Sequence, residues 1–253
     1  MRFFRRVVRR LMSTRSDDDD RKFQFVQQTF RSRLGNSGQG KATLVVASLI
    51  GANVGVYALM QTSPSAAQAI AAHAICTPRS FAEGRSETLL LSAFVHGSPM
   101  HLLVNMIGIA SFAPAMIRLM GPAHWLGWYC AAAVASSAAF IAQQIHLKNN
   151  AKSPFERHQF MHHGVVGASG SVMASAALFA LQYPTARFYL FAVIPMPTWI
   201  LVPGLLAFDL YQLNNTRDRV SHASHLGGGA VGVLAFFVER RFRPHLFRRP
   251  FRT

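Results

Sequence analysis

Gly164-Val165-Val166-Gly167-Ala168-Ser169-Gly170-Ser171-Val172-Met173-Ala174-Ser175-Ala176 is the stretch on which the reading of this chain turns. It reads as the head of an apolar helix, with one hydroxyl, Ser169, set among glycines. Gly164, Gly167 and Gly170 remove side-chain bulk on and beside one helix face, so another backbone can approach closely. A serine hydroxyl is a weak nucleophile until a neighbouring base takes its proton. A nucleophilic role for Ser169 therefore requires a histidine that the fold brings to it.

The composition is that of a membrane protein. Of 253 residues, 51% are hydrophobic and 14% charged, and the charges collect at the ends and in a few loops. Apolar segments lie at about 43–61, 99–117, 123–145, 164–182, 197–213 and 221–238. Each approaches the ~20 residues that cross a bilayer as a helix. The expectation is an all-α membrane protein of six spans, with 183–196 an interfacial loop. The net charge of +16 is not a nucleic-acid footprint, because the basic residues flank apolar segments instead of alternating with aromatics along a groove. With six spans, 19 of the 26 Lys and Arg fall on the side of the termini and seven on the other. The termini then face the cytoplasm or, in an organelle, the matrix. Residues 1–15 carry six arginines and no acid, in an amphipathic pattern like a mitochondrial transit peptide. A basic cytoplasmic tail on a bacterial membrane protein is the alternative. The expected organisation is a basic leader at 1–20, a polar linker at 21–41, a membrane domain at 42–239 and a basic tail at 240–253.

Span order places polar residues at one depth. Spans two, four and six all start on the side opposite the termini. His101 and Asn105, four apart on one helix face, therefore lie at the same level as Ser169 and His225. Polar groups inside a membrane are costly unless they meet one another or water. Gly228 and Gly232, again four apart, offer a smooth face on span six, and Gly167 and Gly170 offer a matching one on span four. Close approach there would allow a hydrogen bond between Ser169 and His225. Asp209, the single acid inside a span, lies away from these motifs and reads as a helix-end or interhelical hydrogen-bonding group.

These residues resemble the rhomboid intramembrane serine proteases. His101-Leu-Leu-Val-Asn105 is similar to the family's HxxxN, Gly167-Ala-Ser169-Gly170 to its GxSG, and His225-Leu-Gly-Gly228 with Gly232 to its HxxGxxxG. The lead-in Leu91-Ser-Ala-Phe-Val-His96 fits as well, and Val172-Met173 after the GxSG resembles the mitochondrial branch. Departures are Ser224 where alanine is usual, Ser221 where glycine is common, and PRSFAEGRSET at 78–88 in place of a Trp-Arg pair. The resemblance implies a six-helix rhomboid bundle with a polar cavity. It implies Ser169 as nucleophile and His225 as general base and acid, a dyad without an orienting acid. His101 and Asn105 would serve the oxyanion, and Gly167, Gly170, Gly228 and Gly232 the helix packing. Substrates would be transmembrane segments of other proteins, in a lipid bilayer, with room for membrane-complex partners; no nucleic acid, cofactor or metal is called for. The location implied is the mitochondrial inner membrane, or a bacterial-type plasma membrane. The alternative function is a non-catalytic rhomboid-like subunit in translocation or quality control.

Other chemistries fit less well. H-E-x-x-H is absent, and an aspartyl protease would need two acids in spans. His158, His162 and His163 read as a polar loop over the cavity, and His222/His225 as a pair lacking the Cys or carboxylate a zinc site wants. Cys76 and Cys130 have no metal spacing and cannot build a disulfide framework.

Overall fold

The computed structural model describes residues 36–190, 194–213, 215 and 220–247. The leader expected at 1–20 and most of the linker lie outside these residues. The regular structure of the described part is helical apart from one pair of short strands. Its helices are α1 (Asn36–Thr62), α2 (Pro64–Ala74), α3 (Pro78–Ala82), α4 (Thr88–Leu91), α5 (Pro99–Met120), α6 (Pro122–Asn149), α7 (Pro154–His162), α8 (Ser169–Gln182), α9 (Thr198–Tyr211) and α10 (His222–Phe242). A 3₁₀ turn, Ser92–Phe94, follows α4. Strands β1 (Arg187–Leu190) and β2 (Ile194–Pro197) pair antiparallel between α8 and α9, within the region expected to be a plain interfacial loop.

Helix starts follow local chemistry. Proline opens α2, α3, α5, α6 and α7, where its fixed φ suits the first turn and its missing N–H is not needed. Ser98 caps α5 by accepting from the His101 N–H at 3.1 Å, which fixes where the helix begins relative to His101. Ser153 and Glu156 form a capping box on α7, so 154–162 is a helix and not the loop expected there. Gly121, at φ +89°, makes the sharp reversal between α5 and α6 that a residue with a Cβ would strain.

Among the described residues, three helices are long and apolar enough to cross a membrane: Gly40–Thr62 of α1, α5 and α6. Helices α8 and α9 are apolar but only 14 residues each, or about 21 Å of rise. The shortfall has a local cause in each case. Residues 164–168, expected to be helical, lie outside the helix instead, held by a bridge between Val165 and Cys76 and by the Gly167 N–H donating to the Ser92 carbonyl at 2.8 Å. Before α9 the chain is strand β2, and Pro197 precedes the first helical residue.

The bundle is built around α8, which packs most closely on α10 and is flanked by α5 and α6. The main core gathers Ile109, Met116, Trp125, Tyr129, Leu178 and Phe236. Polar ties fix the helices in register. Ser171 donates to the Tyr129 carbonyl at 2.8 Å, and Trp125 Nε1 donates to Ser175 Oγ at 3.3 Å. At the far end of α10, buried Glu239 accepts from Trp128 Nε1 at 2.9 Å and faces His124 and Arg243. Phe247, beyond α10, is buried against Phe236. The thiols of Cys76 and Cys130 are unpaired. Large apolar side chains are exposed along α5 (Leu103, Val104, Ile107) and α9 (Trp199, Leu205, Phe208).

Candidate active site

Glycine decides the approach of α8 to α10. A Cβ on Gly228 would overlap the Gly170 carbonyl, and one on Gly232 would overlap the Ala174 carbonyl. Two backbones thus touch over one helical turn, which only residues without side-chain bulk permit. Gly170 is further hemmed in by Ser136 of α6. Gly167 is not part of this contact. It precedes α8 at φ +117°, and a Cβ there would stand 2.5 Å from His101 Nε2.

The contact brings Ser169, the first residue of α8, to His225, one turn into α10. His225 Nε2 lies 3.1 Å from Ser169 Oγ. Both are partly buried, and the His225 side chain keeps 18% of its accessible surface. The N–H groups at the start of α8 have no intrahelical acceptor, so they point into the same corner with the positive end of the helix dipole. His101 and Asn105 converge from α5 on Gly167, two residues before Ser169. The Asn105 amide also donates to the His101 carbonyl at 2.9 Å, which leaves its second N–H to point elsewhere. The ring of buried His96 stands edge-on to His101, centroids 5.0 Å apart. Burial, with His101 beside it, pushes the His96 imidazole down to about 4, so it is neutral. Beside Ser169 the helices leave a hollow of about 10 Å³, lined by the serines 92, 136, 137, 171 and 224. Ser221 and Ser224, the two departures in this region, hydrogen-bond to each other at 2.7 Å.

Asp209 makes the interhelical hydrogen bonds expected of it, but in a different place from the one expected. Asp209 of α9 does not lie away from the motifs. Its carboxylate meets His225 Nδ1 at 3.0 Å (Oδ1) and 3.2 Å (Oδ2), on the side of the ring opposite Ser169. The same Oδ1 meets His222 Nδ1 at 2.7 Å. A carboxylate accepts only, so both imidazoles present Nδ1–H to it. That assigns the His225 tautomer whose Nε2 lone pair faces Ser169. The signal in the sequence was a lone acid in an apolar span, since an ionisable group in a membrane helix needs a partner. What was missing was the register of α9 against α10.

Asp209, His222 and His225 are also the described residues that could together hold a metal ion, so a carboxylate does accompany this histidine pair. Their spacing favours protons. Ligands about 2.1 Å from a tetrahedral zinc stand roughly 3.4 Å apart, whereas these pairs close to 2.7 and 3.0 Å. His158 and His162 lie together on α7, rings 4.2 Å apart, and His162 contacts Arg79, a cation that disfavours a metal there.

Residues 83–242 match the family model of the Rhomboid domain. The chain is 30% identical to RHOMBOID-like protein 12, mitochondrial, of Arabidopsis thaliana over 203 residues, 79% of this chain and 59% of that one. It is 29% identical to Rhomboid-like protein 16, chloroplastic, of the same plant, over 85% of this chain and 68% of the relative. It is 26% identical to Presenilin-associated rhomboid-like protein, mitochondrial, of Bos taurus, over 78% and 48% respectively. The chain thus spans about half to two thirds of the length of these relatives. The matched domain takes in α5 through α10 and every residue of the Ser169 corner, and the chain belongs to the rhomboid family.

Proposed function

We propose that this chain is an intramembrane serine endopeptidase that cuts transmembrane segments of other membrane proteins. The observation that carries the proposal is the line Ser169 Oγ–His225 Nε2–His225 Nδ1–Asp209, with contacts of 3.1 and 3.0 Å. Ser169 attacks the peptide carbonyl as its proton passes to His225 Nε2, and that proton then goes to the leaving amine. Water hydrolyses the acyl-enzyme by the same relay in reverse. Asp209 holds the imidazole in the working tautomer and offsets the charge of the imidazolium. The first N–H groups of α8, with His101 and Asn105, bind the oxyanion. One such donor is worth ~2.7–4 kcal/mol in the transition state.

In this proposal α1, α5, α6, α8, α9 and α10 all cross the bilayer, with non-helical chain completing the two short helices. Together they form the membrane domain at 42–239, with the basic tail following. The exposed apolar side chains of α5 and α9 face lipid or an arriving substrate helix. Mitochondrial relatives and the arginine-rich leader favour the inner membrane with termini in the matrix. Small or helix-breaking residues at the cut site ease local unwinding of the substrate.

The test is a fluorophosphonate probe on purified protein in lipid nanodiscs. Covalent labelling in the wild type that is lost in Ser169→Ala and His225→Ala supports the proposal. A folded wild type that never labels and never cuts a reconstituted transmembrane substrate favours a non-catalytic rhomboid-like subunit.

A further inference from the structure

We propose that His222 is a positioning residue of this site: it holds the Asp209 carboxylate ionised and aimed at His225. The inference rests on the serine-protease reading above. Asp209 is 4% exposed, and among the described residues its donors are two imidazoles, with no Lys or Arg beside it. A carboxylate buried without donors takes up a proton instead of staying charged. Of the two donors, His222 makes the shorter contact, 2.7 Å, and is itself 3% exposed, with the Phe208 ring packed edge-on against it. His225 must keep its Nδ1–H on Asp209 while its other nitrogen works on Ser169, so its hold on the carboxylate changes through the cycle. His222 has no such duty and anchors the acid throughout.

His222 and His225 share the Asp209 carboxylate, so the second donor limits how strongly that carboxylate holds an imidazolium at His225, and a general base must be neutral. The titratable groups facing this cluster among the described residues are His225 on α10 itself, Asp209 on α9 and His101 on α5. Helix α8 brings the neutral Ser169. From α6 comes the Gln143 amide, which donates to the Leu213 carbonyl just past α9.

Fluorophosphonate labelling rates are measured from pH 5 to 9 on the full chain in nanodiscs for wild type, His222→Asn and His222→Phe. Asparagine keeps an N–H donor without a titrating ring, and phenylalanine keeps the ring shape without a donor. In His222→Phe the acid limb of the rate profile moves up by about one pH unit, because His225 takes its inactivating proton more readily. In His222→Asn the limb stays near the wild-type position. A merely structural role would lower the folded fraction and leave both limbs in place. Nitrogen-15 spectra of histidine-labelled wild type give a second readout that needs no apolar variant. His222, assigned by the signal lost in His222→Asn, is a Nδ1–H tautomer at neutral pH. A limb unmoved in folded His222→Phe, a limb moved equally in both variants, or a Nε2–H tautomer at His222 overturns the proposal. Absence of labelling in every protein, wild type included, overturns the protease reading instead.

Discussion

Replacing Gly228 with alanine would test the site without removing a polar group. Its Cβ would stand 2.6 Å from the Gly170 carbonyl carbon and 2.8 Å from the Gly170 Cα, with the carbonyl oxygen closer still. These are backbone atoms of a packed helix and cannot rotate aside. Ordinary carbon–carbon contact begins near 3.5 Å, so α8 and α10 must part by about 1 Å. Ser169 is next to Gly170, and His225 is one turn from Gly228, so nearly all of that displacement reaches the Oγ–Nε2 contact. The contact opens from 3.1 Å to about 4 Å, beyond hydrogen-bond range. A misplacement of that size costs roughly 100-fold in rate, and the overpacking costs about 1–3 kcal/mol of stability. The assay is the fluorophosphonate labelling rate in nanodiscs, with melting followed in parallel. Gly127→Ala on α6 is the control, since nothing lies within 4 Å of a Cβ there. Wild-type labelling by a folded Gly228→Ala would refute the reasoning, because it would mean that the glycine contact does not set the distance between nucleophile and base.

Three further outcomes follow from the same geometry. Asp209→Asn removes a charge-assisted hydrogen bond worth about 1.5–3 kcal/mol, so labelling and cleavage by the folded fraction slow by roughly 10- to 100-fold and melting temperature falls as well; an unaltered rate in folded protein would remove Asp209 from the mechanism. Gly167→Ala forces a side chain onto a backbone at φ +117° and into the His101 ring, so turnover falls by at least tenfold even where the protein folds; substrate cleavage at the wild-type rate would separate His101 from the oxyanion. His96 is held neutral with its affinity for a proton lowered from the usual 6.5 to about 4. The unfolded chain therefore binds a proton that the folded chain refuses, and stability, complete above pH 6.5, declines as pH falls toward 4. Between pH 7 and 5 this amounts to about 2 kcal/mol, read as a drop in melting temperature that His96→Leu lacks; equal drops in both proteins would contradict the buried neutral imidazole.

Much of the site was legible in the sequence because its parts are local. Four residues along a helix return to the same face, so His101 with Asn105, and Gly228 with Gly232, declare their shared faces without any knowledge of neighbours. Apolar runs declare helices, and prolines with serine caps mark where they start. Family membership rests on these local words in a given order. What the tertiary structure decided is how one helix registers against another. It stopped α8 at Ser169, because Val165 pairs with Cys76 and Gly167 bonds to Ser92, residues distant in sequence. It paired 187–190 with 194–197, since a strand needs a partner that no single segment names. It also set Asp209 against His222 and His225. The rotation and rise of α9 relative to α10 depend on the packing of both helices together, and a spacing of 16 residues across a turn carries no such information. Helical periodicity is written into each segment, whereas the meeting of side chains from two segments is settled only when their surfaces close on each other.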